Sequence, residues 1–151
     1  MMSKGIWSLF AAATLAIGFS SAAMAEIGPI EARQACMKAN GKMMGVMVPI
    51  IKGEKPYDKA AVDGAVAATE AACAGWDGWF GEDTKPGGAV ETWAKAEVWT
   101  DRATFDAAGT AFVSALGTVK ASADEASFKA AFPGLGKSCQ DCHEKFRRPK
   151  D

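Results

Sequence analysis

From position 30 to 51 the apolar residues Ile30, Met37, Met44, Val48 and Ile51 fall on one stripe at three-to-four residue spacing, with Arg33 and Gly41 in the remaining places. This is the pattern of one helix face. Pro49 removes the backbone bond to Gly45, so the last turn of this first helix is expected to be bent or irregular. Gly53-Glu54-Lys55-Pro56-Tyr57-Asp58 reads as a turn, and Asp58 as the N-cap of a second helix carrying Val62, Val66, Thr69, Cys73 and Trp76. So short a connection makes the two helices antiparallel neighbours. Residues 75–88 are rich in glycine, contain Pro86 and hold Trp76, Trp79 and Phe80, which predicts a long loop with aromatic anchors. Residues 89–99 read as a crossover with at most a helical turn. Thr100 or Asp101 is the expected cap of a third helix with Phe105, Phe112, Leu116 and Val119 facing inward. Ser122-Ala123-Asp124-Glu125 has the spacing of a capping box with Ser122 as cap, opening a fourth helix. Along that helix Phe128, Phe132, Leu135, Cys139, Cys142 and Phe146 share a stripe, and Pro133 with the flanking Gly134 and Gly136 predicts a kink one to two turns before Cys139. Four amphipathic helices without strand-like alternation give an all-α antiparallel four-helix bundle, with the long loop between the second and third helices.

The start of the chain lies outside this pattern. Lys4, the apolar run from Ile6 to Phe19 and Ala23-Met24-Ala25 have the layout of a secretory signal peptide over residues 1–25, leaving a mature domain of residues 26–151. The apolar run is too short for a membrane span, and export would place the domain in an oxidising compartment, the periplasm. The whole chain has 17 basic and 18 acidic residues, and loss of Lys4 leaves a net charge of −2. No basic stripe suits nucleic acid. Lys145, Arg147, Arg148 and Lys150 read as a solvated helix end complementing the macrodipole, or as a guide for an acidic redox partner.

The candidate chemistry is concentrated in Cys139-Gln140-Asp141-Cys142-His143, which contains the only histidine. Two thiols for the two vinyl groups and an imidazole for the iron are what covalent haem attachment needs. Positions i, i+3 and i+4 put Cys139, Cys142 and His143 on one helix face. A zinc site or a redox dithiol are the competing readings of the same cysteines.

Several motifs in order extend the reading. Arg33-Gln34, Val48-Pro49-Ile50-Ile51-Lys52-Gly53, Pro56-Tyr57-Asp58, Glu97-Val98-Trp99-Thr100-Asp101 and Cys139 through Arg147 together resemble the class II cytochromes c, the family that includes cytochrome c′. The resemblance implies one covalent haem c, anchored by Cys139 and Cys142, with His143 as proximal iron ligand. It also implies a propionate partner at Arg33 and a place for Arg147 beside the proximal pocket. In high-spin members the residue four positions after this arginine is apolar; here it is Met37, whose thioether would complete a six-coordinate, low-spin iron of raised potential. Gly41 on the same face would leave room for a macrocycle, and Met44 is the reserve ligand. The expected function is single-electron transfer with periplasmic redox proteins of unknown identity and no enzymatic turnover. The alternative is a five-coordinate, high-spin iron binding nitric oxide or carbon monoxide. The resemblance further implies a possible homodimer through the first two helices; no membrane span is expected after processing.

Cys36 and Cys73 are not used by haem. Cys36 lies 19 residues before Lys55 and Cys73 lies 18 after it. At a rise of ~1.5 Å per residue they sit at similar height on antiparallel helices, so a disulfide is expected, two small buried thiols being the other reading.

Overall fold

The computed structural model describes residues 27–149; the signal-peptide expectation over residues 1–25, like Lys150, lies outside the described residues. The helices are α1 (Pro29–Ile51), α2 (Lys59–Ala72), the one-turn α3 (Glu97–Thr100), α4 (Arg102–Lys120) and α5 (Glu125–Phe146). Among the described residues there is no β-strand. The four long helices form the bundle: α1 packs chiefly on α2 and α4 chiefly on α5, while α2 and α4 join the two hairpins.

Local chemistry explains most of the boundaries. Pro29 opens α1, where its missing N–H costs nothing, and Glu31 complements the positive end of the helix. At the other end α1 continues through Pro49 to Ile51, and the Glu54 N–H donates to the Pro49 carbonyl at 2.8 Å. Gly53 then reverses the chain at φ 73°, a conformation that favours glycine. Asp58 caps α2, its carboxylate accepting from the Ala61 N–H at 3.1 Å. Asp101 occupies the N-cap position of α4, and its carboxylate accepts from Lys145 Nζ at 2.6 Å.

The expected cap of the last helix is corrected. Asp124, not Ser122, caps α5: its carboxylate accepts from the Ser127 N–H at 2.8 Å, and the Ser127 hydroxyl accepts from the Asp124 N–H at 3.2 Å. Ser122 is buried, and its carbonyl accepts from the Tyr57 hydroxyl at 3.1 Å, which ties the α4–α5 turn to the α1–α2 turn. α5 runs through Pro133 as one helix, held by Phe128 before it and Leu135 after it, both fully buried in the same cluster.

The inward face of α1 is also corrected. In its second half Met43, Met47 and Ile50 are the buried positions, at 1%, 0% and 2% exposure, whereas Met44 and Ile51 only flank them; in its first half Ile30 and Arg33 are buried as expected. Over that second half the stripe read from the sequence is displaced by one residue, roughly 100° around the helix. The apolar interior then divides in two. The main cluster joins Met43, Met47 and Ile50 to Val62, Val66, Leu116, Val119, Phe128 and Leu135. A second cluster joins Phe80, Val98, Phe105 and Phe146, with Trp76, Trp79, Trp99 and Cys142 against it. Its rings meet edge to face, Trp76 on Phe80 at 4.8 Å, Phe80 on Phe105 at 4.7 Å and Phe105 on Phe146 at 5.2 Å. The half of α1 that carries Arg33, Cys36 and Met37 belongs to neither cluster.

Candidate haem-binding site

α5 ends where the second cluster begins, and this places the cysteine–histidine motif. Phe146 anchors the helix end among the aromatic rings, and the Lys95 N–H donates to the Phe146 carbonyl at 2.9 Å. The Arg148 N–H donates to the Trp93 carbonyl at 2.8 Å, and Ala94 and Arg147 form an isolated antiparallel bridge. The crossover from residue 91 to 95 is thereby clamped onto the last turn of α5.

Cys139 and Cys142 are half-buried free thiols. Burial pushes both of their pKa values up, so both stay protonated at neutral pH. Redox-active dithiols instead have a thiol of lowered pKa, which argues against that reading. Zinc fares no better. Among the described residues no three His, Cys, Asp or Glu side chains are gathered to hold a metal ion. The His143 ring reaches solvent on one side, yet desolvation by the surrounding protein, followed by the charge of Arg147, lowers its pKa. The imidazole is therefore neutral at pH 7, the form that ligates iron.

Arg33 supplies the test of whether these residues suit a haem. It is 6% exposed, and its Nη2 donates to the Thr84 carbonyl at 3.1 Å. Its guanidinium lies 4.8 Å from the Phe80 ring centre and 5.8 Å from that of Trp99. Nε and Nη1 are buried without a hydrogen-bond acceptor among the protein atoms. Burial lowers its pKa, but a guanidinium remains protonated at any physiological pH. A buried cation with two unpaired donors is costly unless an anion meets it, and a haem propionate is such an anion. Together with two vinyl-reactive thiols and a neutral imidazole, the donor set fits a covalent haem.

The remaining expected positions separate from one another. Met37 is 39% exposed, in neither apolar cluster, whereas Met44 is packed against the main one. Gly41 is open: a Cβ built there would meet nothing within 4 Å. Arg147 has left the helix with extended φ and ψ of −117° and 135°, and its guanidinium stacks 4.7 Å from the Trp93 ring centre. In the basic cluster at this end the exposed Lys145 pairs with Asp101 and the exposed Arg148 with Glu91 at 3.2 Å. Cys36 and Cys73 are joined in a disulfide with Cα atoms 4.9 Å apart.

Sequence reasoning missed Thr84 and the bond made by Gln34, and also Asn40. The Gln34 side chain donates to the Glu91 carbonyl at 3.3 Å, and that of Asn40 to the Cys36 carbonyl at 3.0 Å. The partners of the first two lie more than 50 positions away, and no local pattern signals them. A groove of about 550 Å³ lies elsewhere, between α1 and α2, lined by Ala35, Lys38, Ala39 and Lys42 facing Ala61, Ala65 and Ala68; it contains none of the haem-motif residues.

Residues 28–147 match the protein family described as Cytochrome C'. Over 131 residues the chain is 35% identical to cytochrome c-556 of Rhodopseudomonas palustris, covering 85% of this chain and 88% of that protein. A cytochrome c' of the same organism is 36% identical over 138 residues, covering 87% of this chain and 89% of that protein. The crystal structure of cytochrome c' from Rubrivivax gelatinosus superposes with a TM-score of 0.71 at 30% identity, over 80% of this chain and 94% of that one.

Proposed function

Because the chain belongs to the cytochrome c′ family and so carries one covalently attached haem c, we propose that it is a single-electron carrier with His143 and Met37 as axial ligands. The haem iron supplies the one-electron couple, and His/Met ligation raises its potential. The observation that carries the reading is the way α1 sorts its methionines. Met43 and Met47 are locked in the main cluster at 1% and 0% exposure and Met44 packs against it, while Met37 has no apolar commitment. Met37 is therefore the thioether free to ligate.

The other residues have supporting roles. Cys139 and Cys142 hold the macrocycle to α5. The neutral His143 ring offers its lone pair, and Arg33 presents two unpaired donors to a propionate. The Ala94–Arg147 bridge and Phe146 fix the end of α5, hence the direction in which His143 projects. The single histidine is assigned to the iron in this reading, and we assign no substrate chemistry. The leader-like residues 1–25 and the Cys36–Cys73 disulfide support a location in the periplasm. No described helix is long and apolar enough to cross a membrane.

The relatives named cytochrome c' favour a second reading, a five-coordinate iron open to nitric oxide or carbon monoxide, as much as the relative named cytochrome c-556 favours the first. A visible spectrum of the reduced protein separates them. Sharp low-spin bands unchanged by carbon monoxide are expected, becoming high-spin and gas-sensitive in Met37→Ala. Prompt gas binding by the unaltered protein would transfer the assignment to the gas-binding reading.

A further inference from the structure

The half of α1 bearing Met37 buries Ile30, Ala32, Arg33 and Cys36 but leaves Met37 itself exposed. Neither apolar cluster includes this half, and beside it the α1–α2 interface is a groove lined mostly by alanine and lysine side chains, together with Met43 and Val46. Besides the buried Ile30 and Ala32, the links that tie this segment to the rest of the chain are polar or covalent: Arg33 to the Thr84 carbonyl, Gln34 to the Glu91 carbonyl, and the disulfide from Cys36 to Cys73. Cys36 is 1% exposed and immediately precedes Met37. The Asn40 amide, one turn on, donates to the Cys36 carbonyl at 3.0 Å and lies 3.7 Å and 3.6 Å from the two sulfurs.

The far end of the bridge is equally informative. Cys73 closes α2, and its carbonyl accepts from the Trp76 N–H at 3.0 Å. Trp76 stacks on Phe105, ring centres 6.0 Å apart, and Phe105 meets Phe146, three residues beyond His143. A continuous connection therefore runs from Met37 through the disulfide to the aromatic cluster that anchors the histidine end of α5.

We propose that the Cys36–Cys73 disulfide is the positioning device for the sixth ligand, fixing the rotation and slide of α1 so that Met37 stays within bonding reach of the iron. This rests on the Met37 ligation reading. On a helix, neighbouring residues diverge by about 100°, so the bridge faces α2 while Met37 projects to the side. A side-chain tip about 6 Å from the helix axis moves about 2 Å for a 20° rotation. Metal–ligand distances tolerate only about 0.2 Å. A small turn of an unclamped α1 is enough to withdraw the thioether. Opening the bridge transfers two electrons and two protons from a dithiol reductant, giving two cysteine thiols and the oxidised reductant, and it converts a gas-inert iron into a gas-binding one.

The test compares three holoproteins in the ferrous state: unaltered, Cys36→Ser/Cys73→Ser, and Met37→Ala. A fourth sample is the unaltered protein treated with a dithiol, its opened bridge verified by the mass of the alkylated thiols. The readouts are spin state, carbon monoxide association rate and amide hydrogen exchange across residues 30–40. The unaltered protein is expected to be low-spin and gas-inert. Raising its five-coordinate fraction from about one in a hundred to about one in ten makes association about tenfold faster. The double variant and the dithiol-treated protein are expected to show at least that acceleration, with faster exchange over residues 30–40 and unchanged far-ultraviolet circular dichroism. Low-spin, gas-inert behaviour in the dithiol-treated protein overturns the proposal while leaving Met37 as ligand. Prompt gas binding by the unaltered protein, indistinguishable from Met37→Ala, overturns both. Should the double variant fail to fold, the dithiol-treated sample decides alone.

Discussion

Replacing Arg33 by methionine yields a change in stability whose sign reports on what the guanidinium meets. Methionine keeps much of the apolar stem that lies against Phe80 and Trp99 and removes the charge. Among protein atoms, only the Thr84 carbonyl accepts a bond from the group, and Nε and Nη1 are buried without an acceptor. If these two donors face a propionate, the substitution loses charge-assisted bonds worth about 1.5–3 kcal/mol each and leaves the carboxylate unpaired. Even a single such loss, at about 4 °C per kcal/mol for a domain of this size, lowers the melting temperature of the holoprotein by about 6–12 °C. If no anion meets the arginine, its buried charge is uncompensated, and an apolar residue of similar volume is neutral or stabilising. Thermal unfolding followed by circular dichroism and haem absorbance at pH 7 distinguishes the two. Arg33→Lys should fall between, retaining charge without the planar fork. An unchanged or raised melting temperature in Arg33→Met would refute the propionate assignment.

Two further outcomes test the fold. Phe128 is fully buried, with Tyr57 at 5.3 Å and Phe132 at 6.0 Å between ring centres, so Phe128→Ala should cost about 3–5 kcal/mol in urea unfolding; a loss below about 1 kcal/mol would contradict the packing. The Ser127 backbone N–H holds the Asp124 carboxyl below the usual carboxylate range, so its contribution is complete above the unfolded value of about 3.9 and disappears as pH falls through the lower folded value. Asp124→Asn, which keeps the cap but cannot titrate, should therefore lose less stability than the unaltered protein when both are taken to acid, and parallel losses would contradict this.

The sequence revealed the bundle because α2, α4 and α5 carry separated apolar residues at helical spacing. Val62 and Val66, Leu116 and Val119, and Phe128 and Leu135 are all buried as that spacing requires. α1 misled because Met43, Met44 and Met47 crowd two adjacent faces, and hydropathy alone does not say which one turns inward. The helix cap was ambiguous for a similar reason. Ser122 and Asp124 both stand in the same short connection, and Tyr57 claims the carbonyl of the former. The haem motif was legible because its chemistry lies within five consecutive residues. The Ala94–Arg147 bridge and the Arg33–Thr84 bond were not, being backbone and side-chain pairings between distant segments whose partners only tertiary structure brings together.

The Cys36–Cys73 bond also has a topological consequence. With its ends 37 positions apart it closes α1, the turn at Gly53 and α2 into a covalent ring. A protease that cut the exposed turn near Lys52 would open the ring without dividing the protein. The segment bearing Arg33 and Met37 would stay attached to the rest of the chain, and the nick would show only after reduction. The most accessible connection in the first hairpin is thus one whose cleavage severs nothing.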